Sequence, residues 1–183
     1  DLGESYYWKE PVRGLLFDRI SATVGLALVA TVYAVVVGVG FGLWAAFRRG
    51  RLVDRGLVSI AMLGQAIPSF WLGPILIILF AVNLGWLPSS GNRSWPSVVL
   101  PALALGSFQV AVLFRITRSS AIEALGQDSV RLARSKGSSD VRLAFSHILP
   151  NTALPLLTVM GLSLATLIGG SVIVETIFAW PGI

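Results

Sequence analysis

The chain has 183 residues, of which 55% are hydrophobic and 13% are charged, and its 14 basic residues against 9 acids give a formal net charge of +5. Water-soluble domains carry about 25% charged residues, so this composition excludes an ordinary soluble globule. The sequence contains no cysteine, which excludes a disulfide-stapled module and any cysteine-ligated zinc or iron–sulfur site.

Four long apolar stretches follow one another along the chain. A helix needs about 20 mainly apolar residues to cross roughly 30 Å of hydrocarbon. The sequence therefore predicts four spanning helices, at about 20–47, 57–82, 98–114 and 152–174. Strands of a membrane barrel would alternate apolar and polar residues instead. The predicted fold class is an all-α, polytopic membrane helical bundle that forms a single domain over 1–183.

The basic residues lie between these stretches and predict the orientation of the chain. Four of the fourteen lie in 48–55 and six lie in 115–142. Lys and Arg near the ends of spanning helices stay on the cytoplasmic side. Segment 1–19 is therefore predicted to be extracytoplasmic and 115–151 to be a cytoplasmic loop. The same distribution argues against nucleic-acid binding, because no aromatic side chains for base stacking interleave the basic residues.

The two ends of the sequence look cut. The chain begins at Asp1 without an initiator methionine or a signal-peptide pattern, and it stops at Ile183 directly after a predicted span. From this topology we expect a fragment of a longer protein, which lacks residues before Asp1 and after Ile183.

Polar and irregular residues in or beside the second and fourth spans are candidate pathway or gate residues. Pro68 and Pro74 free backbone carbonyls and predict kinks, which need neighbouring helices or a water-filled cavity to satisfy them. A kink for packing alone, and a packing contact for the acid at the end of the fourth span, remain alternatives. The candidates are Gln65, Pro68, Ser69, Phe70 and Glu175.

Small residues in the first span have a simpler interpretation. Gly38, Gly40 and Gly42 are predicted to permit close contact with a neighbouring helix.

The predicted cytoplasmic loop divides at Gly137 into two helical patterns. Apolar residues upstream are Ile122, Leu125, Val130 and Ala133, and the downstream set Val141, Ala144, Phe145 and Ile148 is spaced as one face of an amphipathic helix. Gly137 suits the left-handed position after the first helix. Ser138, Ser139 and Asp140 offer N-cap oxygens for the second.

Two interpretations of this predicted pair of short surface helices remain open from the residues alone. The pair packs beneath the bundle and does nothing more, or it docks a cytoplasmic partner through polar contacts around an apolar ridge. The polar contacts would come from Arg131, Arg134, Lys136 and Arg142.

The residues around Gly137 resemble the signature of permease subunits of binding-protein-dependent ABC importers. That signature reads E-A-A, three residues, G, nine residues, I, one residue, L-P, and the chain keeps Ala133, Gly137, Leu149 and Pro150. It departs at Arg131, Leu132 and His147. The departures are similar to the dipeptide, oligopeptide and nickel branch, whose form is closer to V-R-x-A-R-x-K-G followed by H and N-x-x-x-P. Segments 67–70, 85–88 and 174–182 resemble the same branch, so the resemblance covers essentially the whole chain.

The resemblance implies a function for the loop. The two surface helices would be coupling helices seated on a separate cytoplasmic ATPase subunit, whose ATP-driven closure switches the spans between inward-open and outward-open states. A second permease, giving a heterodimer, would complete the pore. An extracytoplasmic solute-binding protein would deliver a dipeptide, oligopeptide, glutathione or nickel chelate. The implied coupling residues are Arg131, Ala133, Arg134, Lys136, Gly137, Asp140, Arg142, His147, Leu149 and Pro150.

The permease itself is expected to be a non-catalytic, lipid-embedded, multi-pass subunit of a bacterial or archaeal cell (inner) membrane. The sequence has no Gly-rich phosphate loop, and His147 is its single histidine, so we expect no catalytic, cofactor-binding or metal-binding residues.

Two rival functions are weighed against this expectation. An ion-coupled secondary transporter would place ionisable groups inside the spans, and none lies in the middle of these four. A structural membrane subunit without transport would need no paired coupling helices.

Overall fold

The computed structural model describes Gly3, Lys9, residues 11–92 and residues 94–182. Every regular element in those residues is helical, which confirms the predicted all-α class. Most of residues 1–10, the first part of the predicted extracytoplasmic segment 1–19, lie outside the described residues, as do Arg93 and Ile183.

In the part of the chain that the structure describes, seven α-helices are connected by short turns and by irregular helical pieces. One π-helical piece is Ile77–Asn83, a second is Ala144–Ile148, and Trp95–Val98 forms a 3₁₀ turn. The α-helices are α1 (Val12–Phe47), α2 (Leu52–Ala66), α3 (Ser69–Leu76), α4 (Val99–Leu125), α5 (Asp128–Ser135), α6 (Asp140–Leu143) and α7 (Leu149–Ile177).

Three helical stretches in the described part of the chain are long and apolar enough to cross a membrane. They are Val12–Phe47, Trp95–Leu125 and Asp140–Ile177, and the pair Leu52–Ala66 and Ser69–Asn83 adds a fourth if it is taken as one span. A helix suits this composition because it satisfies every backbone polar group within its own segment, where hydrocarbon offers no water.

The second predicted span is broken rather than continuous. Ile67 and Pro68 have extended backbone angles, with ψ values of 118° and 143°, and so separate α2 from α3. The ring of a proline disfavours a helical conformation in the residue before it, which explains the break. The predicted irregularity at Pro68 is therefore confirmed, whereas the helix continues through Pro74.

The residues fall into two compact units, each with its own core. Unit one comprises Asp1–Ala30, Pro68–Gly106 and Leu164–Ile183. Its buried core joins side chains of α1, α4 and α7 to the residue after α7. Its largest fully buried members are Leu26, Leu100, Val174 and Phe178.

Unit two comprises Thr31–Ile67 and Ser107–Ser163. One core cluster contains Ala34, Leu113 and Leu156, which come from α1, α4 and α7. A second cluster contains Ala46, Ala121, Ala124 and Ile148.

Small residues allow α1 and α4 to approach closely within unit two. A Cβ atom on Gly38 would lie 2.8 Å from the Val110 carbonyl oxygen, and one on Gly42 would lie 2.8 Å from Thr117 Cβ. A Cβ on Gly40 would meet no atom within 4 Å. The predicted close helix contact is thus confirmed for Gly38 and Gly42, which are four residues apart on one helix face, and is wrong for Gly40.

The predicted loop 115–151 is more helical than expected. Its first part belongs to α4, which ends only at Leu125, so Ile122 and Leu125 are not part of the first surface helix. Its last part runs without interruption through a π-helical turn into α7. The second predicted short helix is therefore continuous with α7 and is not a separate element. Pro150 lacks the N–H that a regular α-helical turn requires, and the wider π-helical turn ends two residues before it, at Ile148.

Candidate functional site

The helix pair, defined here as residues 128–148, contains a hydrogen-bonded turn at Gly137. This glycine has a φ of +85°, in the left-handed region that glycine adopts without strain. Its N–H donates to the Arg134 carbonyl at 3.0 Å, and the N–H of Ser138 donates to the Ala133 carbonyl at 3.2 Å. These two bonds form a Schellman motif, which satisfies carbonyls at the end of α5. The predicted left-handed glycine is confirmed, and the alanine and glycine of the signature belong to one turn.

Polar side chains hold the other side of the same turn. The Ser139 hydroxyl accepts a hydrogen bond from the Arg142 N–H at 3.4 Å and so caps α6. Across Gly137, Arg134 Nη2 donates to Asp140 Oδ1 at 3.0 Å. Both side chains of this ion pair are more than half exposed, so it orients the two helices without adding much stability.

Buried apolar side chains seat the helix pair on the ends of two longer helices. Val130, Leu143, Ala144 and Ile148 are all less than 7% exposed. Ile148 packs in one cluster with Ala46 of α1 and with Ala121 and Ala124 of α4. The pair is therefore part of the packed interior of unit two and not a loose loop.

The opposite surface of the helix pair presents apolar side chains to the exterior. Leu132 is 58% exposed, and Val141 and Phe145 are each 68% exposed. We call these three residues the exposed ridge. The basic side chains of the same helix pair are exposed as well, namely Arg131, Arg134, Lys136 and Arg142.

The predicted amphipathic face of the second helix is wrong in detail. Ala144 and Ile148 are buried as expected, but Val141 and Phe145 belong to the exposed ridge, and the fully buried Leu143 was not predicted. The π-helical turn explains part of this difference, because it changes the angular spacing on which the prediction depended. Of the remaining predicted coupling residues, His147 and Leu149 are half-buried and Pro150 is exposed.

A buried ion pair joins α2 to α4 in unit two. Asp54 is 3% exposed and accepts hydrogen bonds from Arg118 Nε at 2.6 Å and Arg118 Nη2 at 2.9 Å. The Gly50 N–H, in the turn after α1, donates to the same carboxylate at 2.9 Å. Three elements therefore meet at one carboxylate, and the paired bonds from one guanidinium set the geometry.

A second arginine on α4 lies beside one of the predicted pathway residues. Arg115 Nη1 donates to Gln65 Oε1 at 3.3 Å. Both side chains line a cavity of about 230 Å³ in unit two, whose other walls include Ala61, Ala111 and Phe114. An apolar cavity of about 290 Å³ shares those three walls.

The other predicted pathway residues belong to unit one. Pro68 is exposed, Ser69 is half-buried and Phe70 is 54% exposed. Glu175 is only 3% exposed, and neither of its carboxylate oxygens has a hydrogen-bond partner among the described residues. Of the five candidates, Gln65 belongs to unit two and the other four belong to unit one.

Sequence reasoning missed the Asp54–Arg118 pair and the position of Arg115. The residues of each contact are far apart in sequence, 64 positions for Asp54 and Arg118 and 50 for Gln65 and Arg115. One feature of the sequence could have pointed to the ion pair, because Asp54 is the single acid among the arginines of 48–55.

Comparison with known proteins defines the class of the chain. Residues 38–183 match the family described as the binding-protein-dependent transport system inner membrane component. The chain belongs to this family of multi-pass membrane transport proteins. Membership in the importer permease family, which the motifs around Gly137 predicted, is thereby confirmed.

Individual relatives are similar over the whole of this chain. One from Brucella abortus strain 2308, named provisionally as a peptide transport system permease protein, is 42% identical over 191 residues, covering 100% of this chain and 61% of its own length. The glutathione transport system permease protein of Escherichia coli strain K12 is 41% identical over 183 residues, covering 100% of this chain and 60% of its own. The chain spans about three-fifths of the length of these curated relatives.

A solved structure supports the fold. A chain of the MetNI methionine ABC transporter, in inward-facing conformations, superposes with a TM-score of 0.74 over 93% of this chain and 78% of that chain. The identity is 20%, so the likeness concerns the fold alone.

Proposed function

We propose that this chain forms half of the translocation pathway of an ATP-driven importer of peptides or similar small solutes, such as a dipeptide, an oligopeptide, glutathione or a nickel chelate. A second, similar permease completes the pathway as a heterodimer, and an extracytoplasmic binding protein delivers the solute. Separate cytoplasmic ATPase subunits hydrolyse the ATP, so this chain is a non-catalytic subunit of a bacterial or archaeal inner membrane. The names of the relatives from Brucella abortus and Escherichia coli support the choice of solutes.

The helix pair carries the proposal. It exposes both the ridge of Leu132, Val141 and Phe145 and four basic side chains, and docking surfaces combine apolar and polar groups in this way. A protein partner that docks on this ridge removes its apolar side chains from water. A helix that only lies at a polar surface would gain no stability from exposed apolar side chains. We assign this surface to the ATPase, on the side that the positive residues predict to be cytoplasmic.

The packing behind the ridge supports a role in transmission. Ile148 is fully buried against α1 and α4, and the helix pair runs without a break into α7. Close-packed interiors shift as units and do not absorb a displacement locally. A push on the ridge is therefore passed to three long helices at once.

Substitution of Gly137 tests the proposal. In Gly137→Val a β-branched residue must adopt a φ near +85°, which costs about 1–2 kcal/mol and displaces the turn between the two helices. In the complete transporter reconstituted in proteoliposomes, we expect solute uptake per ATP hydrolysed to fall severalfold while membrane insertion is unchanged. Gly56→Val is the matched control, because a Cβ there meets no atom within 4 Å. An unchanged coupling ratio in Gly137→Val would contradict the assignment of the helix pair.

A second variant tests the ridge directly. Phe145→Asp places a charge at the centre of the exposed ridge without disturbing the buried side chains, since Phe145 is 68% exposed. We expect the purified permease to lose its ATPase subunits in co-purification. Val32→Asn, at another exposed apolar position of the same unit, should retain them.

A further inference from the structure

Arg115 and Gln65 approach each other because of the direction in which helix side chains point. The helices α2 and α4 are antiparallel, as Asp54 bonds Arg118 near one end and Gly64 lies beside Ser107 further along. Side chains on a helix tilt toward its N-terminus, so the two tilts converge in an antiparallel pair. Along the two helices, Ala61 and Ala111 lie between the positions of Gln65 and Arg115. Their small side chains leave the 230 Å³ cavity open.

Most of the unused hydrogen-bonding capacity of this pair is donor capacity. A guanidinium has only donors, so Gln65 must present its amide oxygen to Arg115 and its NH₂ group is left to donate elsewhere. The bond between them is long for an N–H···O contact, at 3.3 Å. No carboxylate among the described residues lies within ion-pair distance of Arg115, whereas Arg118 is occupied by Asp54. The site thus offers one uncompensated positive charge and several free donors.

The direction of Arg115 argues against an interfacial role at the lipid surface. An arginine on a lipid-facing surface extends toward the nearer aqueous side. In the predicted topology that side is where Asp54 and Arg118 lie. Ala61 is seven residues beyond Asp54, about 10 Å further along α2. Arg115 reaches toward that deeper level and so turns its charge away from the nearer interface.

We propose that Arg115 and Gln65 bind a carboxylate group of the transported solute on its way through the membrane. The guanidinium fork matches a carboxylate with two parallel hydrogen bonds, and the Gln65 amide adds a third donor. Apart from Gln65, Arg115 and the Asp54-paired Arg118, the side chains that line the 230 Å³ cavity are apolar and make few demands on the remainder of the solute. The inference rests on the proposed transport function and adds to it a preference for solutes with a free carboxylate.

The test uses the complete transporter in proteoliposomes with two probes, alanyl-alanine and its C-terminal amide. Initial uptake is measured at equal fractional occupancy of the binding protein. A difference in the affinity of the binding protein for the two probes then does not affect the comparison. In Arg115→Gln, uptake of the free dipeptide should fall roughly tenfold, because a hydrogen bond to a charged group is lost. Uptake of the amide should stay within about twofold of wild type or rise. Arg115→Lys keeps the charge without the fork and should recover part of the uptake.

Controls separate the outcomes. Arg55→Gln removes an exposed arginine elsewhere on α2 and should change neither probe. If Arg115→Gln does not assemble, Gln65→Leu removes one donor and should lower uptake of the free dipeptide severalfold in the same selective way. An equal loss for both probes would mean that Arg115 is structural and would overturn the inference while leaving the transport function intact. Equal uptake of the two probes by the wild-type transporter would also overturn the inference and leave the transport function intact.

A lipid phosphate is the competing anion. The same variants are therefore compared in vesicles of phosphatidylcholine alone and with phosphatidylglycerol added. Selective loss of the free dipeptide in both compositions supports the solute site. An effect of Arg115→Gln that occurs only with the anionic lipid would assign the donors to a headgroup and overturn the inference.

Discussion

Two carboxylates of this protein are equally buried, yet their surroundings differ completely. Asp54 in unit two and Glu175 in unit one are each 3% exposed. Asp54 accepts two hydrogen bonds from Arg118 and one from the Gly50 N–H, all at 2.9 Å or less. Glu175 accepts none from the described residues, and its carboxyl lies against the backbone of Gly182.

The comparison shows that burial alone does not define the role of an acid. A buried carboxylate with good hydrogen bonds fixes the elements that supply the donors, here the turn at Gly50 and helix α4. A buried carboxylate without donors costs free energy and calls for a specific explanation. We therefore expect Asp54 to be indispensable to stability and Glu175 to be dispensable, and the following variants test that contrast.

The largest effect is expected from removal of one member of the ion pair. Arg118→Met leaves the Asp54 charge buried with one backbone donor, and we expect the free energy of unfolding to fall by about 2–4 kcal/mol. This is the lower part of the range for buried pairs, because the Arg118 side chain is 27% exposed and so partly solvated. Thermal unfolding of the purified protein in detergent measures the change.

The double variant Asp54→Leu, Arg118→Met is the control for the pair. Replacement of both partners removes the stranded charge, so most of the lost stability should return. A double variant that is no more stable than Arg118→Met would show that the loss comes from packing and not from the charge.

The next largest effect is expected at Gly182. A Cβ atom there would overlap the Glu175 carboxyl, so Gly182→Ala should destabilise the protein by about 1–3 kcal/mol. Glu175→Ala in the same chain makes room, and the double variant should be more stable than Gly182→Ala alone. Gly161→Ala provides the matched control, since a Cβ at that position meets no atom within 4 Å. Simple additivity of the two changes would argue against the contact.

Neutralisation of Glu175 should have a smaller effect, and in the opposite direction. Glu175→Gln removes a buried charge that has no donor among the described residues, so the protein should be unchanged or up to about 1 kcal/mol more stable. The same thermal assay applies. A loss of more than about 2 kcal/mol would reveal a donor supplied from outside the described part of the chain and would end the contrast with Asp54.

The smallest effect is expected for the exposed ion pair of the helix pair. Arg134→Gln breaks its bond to Asp140, but both side chains are more than half exposed, and we expect a change below about 0.5 kcal/mol. Equal losses in Arg134→Gln and Arg118→Met would mean that burial does not distinguish the two pairs. Unfolding in high salt gives a second readout, because only the exposed pair is strongly screened.

Much of the fold could be predicted from local sequence. The break at Pro68, the left-handed Gly137 and the cap at Ser139 all depend on bonds within a few residues, and all three were predicted. The buried face of the second surface helix was not predicted correctly. Val141 and Phe145 have the spacing of buried residues, but the π-helical turn and the packing of Leu143 and Ile148 decided which side is buried.

The candidate site divides in the same way. The motif around Gly137 identifies the family because its residues are consecutive and their turn is local. The grouping of Gln65 with Arg115 was invisible, since either residue alone is unremarkable and 50 positions separate them. The role of the five predicted pathway or gate residues stays a prediction, and they are divided between the two units.

By itself, the sequence determined that this chain is a helical membrane protein of the importer permease family. That outcome follows from the length of its apolar stretches and from one short motif, both of which act through local backbone hydrogen bonds and the exclusion of water. Only the tertiary structure decided which charges are neutralised and which are free. Arg118 and Arg115 are three residues apart on one helix. Arg118 forms an ion pair with Asp54, whereas no carboxylate among the described residues lies within ion-pair distance of Arg115. Their difference depends on what the neighbouring helix presents at each level, and no local pattern encodes that.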